Sequence, residues 1–375
     1  MSLSGENTKK RAWGAYIHIP FCKRKCDYCA FVSTPDLSLC GNYIDKLVEE
    51  IHSSEYRGEV IDTVYVGGGT PSCLNRGALS RILSSLYKSF DVKSVETTVE
   101  ANPDSCDEDF VSECLDNGVN RISVGLQSTG DDVLKSIGRI HTVEQYMRAV
   151  ELLEKRGIHN RSTDIILGLP GQTEKHILQS IDLISQTCRH ASVYALSVEE
   201  GTPLFRRGYA TDDDEVADLY DFACKKLYSL GFKRYEVSNF ARDGAESVHN
   251  KKYWECKPYL GFGVAAHGYD GDYVRYAHGD DIAEYIASAK MTKTTLTEVD
   301  RYNEYVMLRL RTERGIVLED FKSRFGYSFL EKNRALIEMS ESEHAVICSN
   351  GRIRISPERM FVMNGIIERF MLDNI

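Results

Sequence analysis

Six short apolar runs alternate with longer amphipathic stretches over the first half of the chain. The apolar runs span residues 15–19, 63–66, 94–99, 121–126, 162–167 and 192–196. They are rich in Val, Ile, Tyr and Thr, whose branched or flat side chains suit a pleated sheet. Between them, residues 42–51, 76–87, 107–117, 143–155 and 174–186 read as helices. In the first of these, Ile44, Leu47, Val48 and Ile51 recur at helical spacing and share one face. Asn117-Gly118 and Arg156-Gly157 read as helix stops, because glycine takes the left-handed turn past a C-terminus without a Cβ clash. Strand–helix alternation repeated six times predicts a parallel sheet. The expected fold class is α/β, a partial (β/α)6 barrel. A doubly wound sheet would give the same alternation. In either architecture ligands gather at the C-terminal ends of the strands.

The second half reads differently. Residues 211–230 form a helix, and 234–278 look irregular and aromatic-rich. Residues 301–311 and 318–325 read as helices, 345–349 and 352–355 as short strands, and 357–372 as a final helix. Helices followed by a small hairpin predict a winged-helix-like α+β module. The expected domains are therefore a disordered N-terminus (1–12), a barrel (13–210), a connecting helix with an aromatic segment (211–295) and a C-terminal module (296–375).

Composition narrows the functional classes. The chain has 375 residues, 42% of them hydrophobic, enough for a sizeable core. Its formal net charge of −10 disfavours general nucleic-acid binding, which needs clustered Lys and Arg against phosphates. Arg309, Arg311 and Arg314 are a local basic group, but Glu313, Glu319 and Asp320 sit among them. No run approaches the length of a membrane-spanning helix, and the polar N-terminus does not read as a secretory signal. The 11 cysteines are scattered except for one tight group. That pattern points to a reducing cytoplasm, where clustered thiols mean metal; a peripheral visit to a membrane stays open.

The tight group is Cys22, Cys26 and Cys29, at C-x3-C-x2-C spacing directly after the first strand. Thiolates are soft ligands that suit zinc or iron–sulfur clusters. A structural zinc site wants four ligands, and Cys40 would have to be the fourth. Three cysteines on one loop can instead hold three irons of a [4Fe–4S] cubane, leaving the fourth iron open to a small chelating ligand. The run Ile17-His18-Ile19-Pro20-Phe21-Cys22, with Gly67-Gly68-Gly69-Thr70-Pro71-Ser72 after the second strand, resembles the radical-SAM superfamily. Within it the chain is similar to the coproporphyrinogen III dehydrogenase group. The resemblance implies S-adenosylmethionine (SAM) bound against the cluster, and an electron donor to that cluster. It implies SAM contacts from Tyr16, Tyr28, Gly68, Gly69, Thr70, Glu100, Gln127, Arg139 and Asp164. The glycines would let backbone approach the ligand closely. Glu100 and Gln127 would end the third and fourth strands, and Arg139 would face a carboxylate. His18 reads as packing beside the cluster. Cys73, Cys106, Cys114, Cys188, Cys224, Cys256 and Cys348 read as small buried hydrophobes.

Two features bear on the branch of that group. The dehydrogenases carry a fourth cysteine two residues after the third, where this chain has Phe31. The run His249-Asn250-Lys251-Lys252-Tyr253-Trp254, an HNxxYW motif, resembles the heme chaperone HemW branch. That resemblance implies heme as a further ligand and heme-acceptor proteins, such as respiratory cytochromes, as partners. His249 would offer an axial imidazole, with His267 as its rival. Tyr253, Trp254, Tyr259, Phe262, Tyr269 and Tyr276 would supply flat apolar surface, and Arg275 would meet a propionate. The plainer alternative is that His249 caps a turn and Trp254 fills a gap between domains. The competing function is an oxygen-independent coproporphyrinogen III oxidase, converting coproporphyrinogen III to protoporphyrinogen IX in porphyrin biosynthesis. Phe31 and the short stretch before Tyr16 count against it. SAM and the cluster would then gate heme handling, with a homodimer as one route.

Overall fold

The computed structural model describes residues 11–373. Six strands run parallel side by side: β1 (Ala12–Ile19), β2 (Val60–Gly68), β3 (Asp91–Ala101), β4 (Arg121–Gln127), β5 (Arg161–Leu167) and β6 (His190–Ala195). Helices α1 (Cys40–Ser53), α2 (Ala78–Ser89), α3 (Glu108–Asp116), α4 (Asp131–Ser136), α5 (Val143–Lys155), α6 (Glu174–Thr187), α7 (Pro203–Arg206) and α8 (Asp213–Ser229) follow them in turn.

Alternation along each strand makes two faces. Ala15, Ile17 and Ile19 of β1 and Val64 and Val66 of β2 pack into one core with Ile44, Leu47 and Ile51 of α1. Leu79, Ile82 and Leu86 of α2 join them. Each such Val, Ile or Leu side chain contributes about 1.5–3 kcal/mol through burial. The alternate positions, among them Tyr16, Tyr65, Glu100, Ser123 and Asp164, meet one another inside the barrel. This inner lining is polar, which is why the strand runs are not uniformly apolar.

The segment 234–278, expected to be irregular, carries short strands that extend the sheet at both edges, with irregular backbone and a short helix between them. Here β7 (Lys233–Arg234) and β8 (Asn239–Ala241) add antiparallel beside β6. A short helix, α9 (Val248–Trp254), comes next. Then β9 (Tyr259–Phe262) pairs parallel with β1, and β10 (His267–Tyr269), β11 (Val274–His278) and β12 (Met291–Thr295) continue outward from it. Among the described residues the sheet thus has twelve strands, six of them from residues 211–295. Strands of two to five residues are too short for a period-2 pattern to register.

At the N-terminus, residues 1–10 of the stretch expected to be disordered lie outside the described residues. Ala12, also assigned to that stretch, is already paired with Val60, and Arg11 Nη2 donates to Gly271 O at 2.8 Å. The C-terminal module has its own core around Tyr302, Val306, Leu310, Phe321, Phe329, Ile353 and Phe370. Cys256, in the turn after α9, and Tyr269 of β10 join that core and tie the module down. Its sheet is three antiparallel strands, Ile316–Val317, Arg352–Ile355 and Val346–Ser349, in that order. The helix expected over 357–372 divides into a 3-10 turn at Pro357–Arg359 and a helix at Met363–Glu368. Asn364 and Gly365 are weak helix formers and leave only a short helix around them.

Candidate functional site

The loop from β1 to α1 lies across the C-terminal ends of the strands, where a cavity of about 630 Å³ opens. Cys22, Cys26 and Cys29 all line it. The loop is pinned from several sides. Cys22 N donates to Thr34 O at 3.1 Å, Asp27 N to Ile137 O at 2.9 Å, and Leu204 N to Asp27 O at 2.9 Å. Arg207 holds the Asp27 carboxylate at 2.9 Å. Thr70 Oγ1 donates to Cys22 Sγ at 3.3 Å. Cys40, the fourth ligand a zinc site would need, is packed in the hydrophobic core.

His18 braces this end from below. Its Nε2 donates to Val32 O at 3.0 Å, so its Nδ1 accepts from Tyr16 OH at 2.9 Å. Burial lowers its pKa, which keeps the ring neutral for that pattern. The ring lies so close to Gly68 that a Cβ there would meet His18 Cε1 at 2.4 Å, and Gly68 sits at φ 110°. Only glycine fits that place.

Glu100, at the top of β3, accepts from Tyr65 OH at 2.7 Å and from Gly68 N at 3.0 Å. Burial pushes its carboxyl up to about 7. Asp164 accepts from Ser123 Oγ at 3.4 Å, and burial raises its pKa as well. Arg139 Nη1 donates to Asn102 Oδ1 at 2.7 Å. Its Nε has no partner, and among the described residues no carboxylate pairs with it. A guanidinium so placed favours an anion in the cavity. A Cβ at Gly125 would lie 2.8 Å from Arg139 Nη2, so that glycine leaves Arg139 its room. Gln127 stands in the left-handed region at φ 66°, at a bulge between β4 and β5. Backbone strain of this kind collects at functional sites.

Eight of the nine residues expected around SAM line this one cavity: Tyr28, Gly68, Gly69, Thr70, Glu100, Gln127, Arg139 and Asp164. Tyr16 does not reach it, and stacks against Tyr65 at 6.2 Å between ring centres, beneath Glu100. Asn102, Ser123, Gly125 and Tyr194 also line the cavity. Their signal was the inner alternation of the strands, which places Ser123, Gly125 and Gln127 on one side of β4. The outer wall carries Ile166, Leu196 and Phe31, the last 69% exposed. The chemistry of this donor set, three soft thiols beside an unpaired cation and a carboxylate, fits a three-thiolate cluster with a zwitterionic ligand.

His249 is elsewhere. It lies on α9 beside Thr63 of β2, towards the N-terminal end of the strands, and its ring is fully buried. One ring nitrogen bonds Thr63 Oγ1 at 3.0 Å and the other Tyr253 OH at 2.7 Å. Burial takes its pKa down to about 3, so the ring is neutral and both nitrogens are spent. To ligate a porphyrin iron, the ring would have to release Thr63 or Tyr253. Ser247 Oγ caps the helix by accepting from Asn250 N at 3.2 Å, and α9 lies against the helix Glu298–Leu310 of the C-terminal module. Arg275, expected at a propionate, is held in a fork by Glu304, with both bonds 2.6 Å. His267, the rival ligand, is exposed on β10.

Residues 16–184 match the Radical SAM superfamily, and residues 296–362 match the HemN C-terminal domain. The chain is 34% identical over 376 residues to the heme chaperone HemW of Lactococcus lactis, covering 96% of this chain and 98% of that one. It is 35% identical over 335 residues to the heme chaperone HemW of Bacillus subtilis, covering 84% and 87%. Its fold is similar to that of the Escherichia coli coproporphyrinogen III oxidase HemN, a radical SAM enzyme, with a TM-score of 0.84 and 20% identity over 96% of this chain and 90% of that one. The radical SAM fold carries with it a [4Fe–4S] cluster and SAM as cofactors. The three-cysteine loop, the glycine motif and these similarities over nearly the whole length agree: the chain belongs to the heme chaperone HemW family of the radical SAM superfamily.

Proposed function

We propose that this protein is a heme chaperone, binding heme and passing it to acceptor proteins, with a SAM-loaded cluster as its regulatory centre. The observation that carries the reading is the composition of the cavity. Three thiols open onto it, and its mouth carries the exposed apolar ring of Phe31 where a fourth thiol would stand. Flat apolar surface suits a macrocycle.

Cys22, Cys26 and Cys29 would hold three irons. When bound, the cluster supplies a reducing electron to the ligand's sulfonium, and needs an electron donor in turn. The chain's own residues bind and orient. Glu100 accepts from the ligand's ammonium beside the Gly68 and Gly69 backbone. Arg139 meets its carboxylate, which answers the missing counter-charge. Asp164, held by Ser123, takes ribose hydroxyls, and Tyr28, Thr70 and Gln127 fill the remaining wall. No helix among the described residues is long and apolar enough to cross a membrane. Work in the cytoplasm, on respiratory cytochromes or similar acceptors, follows from the same reading, and so does a homodimer as a regulated form.

The test is an anaerobic heme titration of cluster-reconstituted protein, read by Soret absorption, beside His249→Ala and His267→Ala. Saturation near one heme per chain, followed by transfer to an apo-cytochrome, is expected. Absence of specific binding would overturn the reading.

A further inference from the structure

The HNxxYW helix turn carries more contacts than a spacer needs. Glu96, buried on β3, accepts from Ser247 Oγ at 3.2 Å, Val248 N at 3.1 Å and His249 N at 2.9 Å. Three donors on one carboxylate fix the start of α9 against the barrel. Lys252 Nζ, also buried, donates to Ala12 O at 3.1 Å and pairs with Asp62 at 2.7 Å, joining the starts of β1 and β2. Gly14 of β1 leaves the space the motif occupies: a Cβ there would lie 3.2 Å from His249 Cε1 and 3.0 Å from Lys252 Cδ. The turn therefore closes the floor of the barrel.

From that floor a line of contacts rises to the cavity. The His249 ring packs against Tyr65, 5.4 Å between centres and tilted by 31°. Tyr65 stacks on Tyr16 on one side and gives its hydroxyl to Glu100 Oε1 at 2.7 Å. Tyr65 is thus held in place by packing and bonded only at its tip. Its tip sets one of the two carboxylate oxygens; Gly68 N sets the other. With both ring nitrogens tied to Thr63 and Tyr253, His249 is a rigid stop beneath Tyr65.

We propose that His249 is a positioning residue for the SAM site: through Tyr65 it fixes the Glu100 carboxylate that receives the ligand's ammonium. The proposal rests on the reading that Glu100 faces SAM. It gives the HNxxYW motif a role in ligand geometry at the far end of the barrel, and makes the SAM site dependent on how α9 seats between barrel and C-terminal module.

The experiment measures SAM affinity by equilibrium dialysis on cluster-reconstituted protein, with iron content and melting temperature for each variant. His249→Ala and Tyr65→Phe are each expected to weaken SAM about tenfold, and the double variant no more than either alone, since coupled neighbours are not additive. His249→Gln, which can still bond Thr63 or Tyr253, should recover part of the loss. Val306→Ala, a cavity in the C-terminal core, serves as a control of comparable melting loss and should leave SAM affinity unchanged. Glu100→Gln separates the two claims. If it weakens SAM while His249→Ala does not, or if the His249 and Tyr65 effects simply add, the positioning role is overturned alone. If Glu100→Gln leaves SAM affinity unchanged, the reading of Glu100 falls and takes the positioning role with it.

Discussion

The two ends of the barrel are built from similar residue types and differ in what is left over. At the floor, Glu96 takes three donors, His249 has both nitrogens bonded and Lys252 has a carbonyl and a carboxylate. At the mouth, Arg139 keeps an unbonded Nε, Gln127 is strained and three thiols line open space. Glutamate and a cation serve closure in one place and reception in the other. What separates a structural site from a binding site here is unspent valence around a cavity. Residue identity alone does not make the distinction.

Four changes would break or sharpen that contrast. The largest effect is expected at the mouth: Cys22→Ser, Cys26→Ser or Cys29→Ser should each abolish an intact cluster, read as lost iron and visible absorption, with the fold retained by circular dichroism. At the floor, Glu96→Ala should cost about 3–5 kcal/mol of stability, measured by denaturant unfolding, because it strands Arg121, 3.7 Å away, and uncaps α9. An effect below about 1 kcal/mol would show that the floor is not saturated as described.

The third change is pH. Glu100 is pushed up to about 7 by burial, against an unfolded value of 4.5. The folded state therefore holds the extra proton between those values, and Glu100 removes stability as pH rises through that window. An ammonium ligand favours the carboxylate form, so SAM affinity should rise about tenfold from pH 6 to pH 8 and flatten in Glu100→Gln. A profile equally steep in that variant would assign the titration elsewhere. The smallest effect is expected from Phe31→Cys. The cluster spectrum and iron content should stay as in the parent, because three thiolates already leave one iron for SAM. A changed cluster type would show that residue 31 reaches a metal.

The mouth was legible in the sequence and the floor was not. The cysteine spacing and the glycine motif are local, and the strand ends that carry Glu100, Gln127 and Asp164 follow from the alternation. The three cysteines and eight of the nine residues expected around SAM meet at one cavity because the parallel topology brings every strand's C-terminal end together. The floor depends on pairs such as Thr63 with His249 and Glu96 with Val248, far apart in sequence and without any periodic signal. A histidine and two aromatics in a short motif look alike whether they hold a macrocycle or fill a barrel. The partners that Nδ1 and Nε2 take in the fold are not written in the motif. The short edge strands were missed for a related reason: Lys233–Arg234 and Asn239–Ala241 exist because β6 offers them an edge, and their own residues do not demand it.

The central claim, that this cavity serves heme handling and does not turn over a porphyrinogen, is tested most directly in one anaerobic sample. Reconstituted protein with SAM and a reductant would be given heme and coproporphyrinogen III together, and the porphyrins followed by chromatography and Soret absorption. Stoichiometric heme binding with no protoporphyrinogen IX formed is the predicted result. Catalytic accumulation of protoporphyrinogen IX would contradict it.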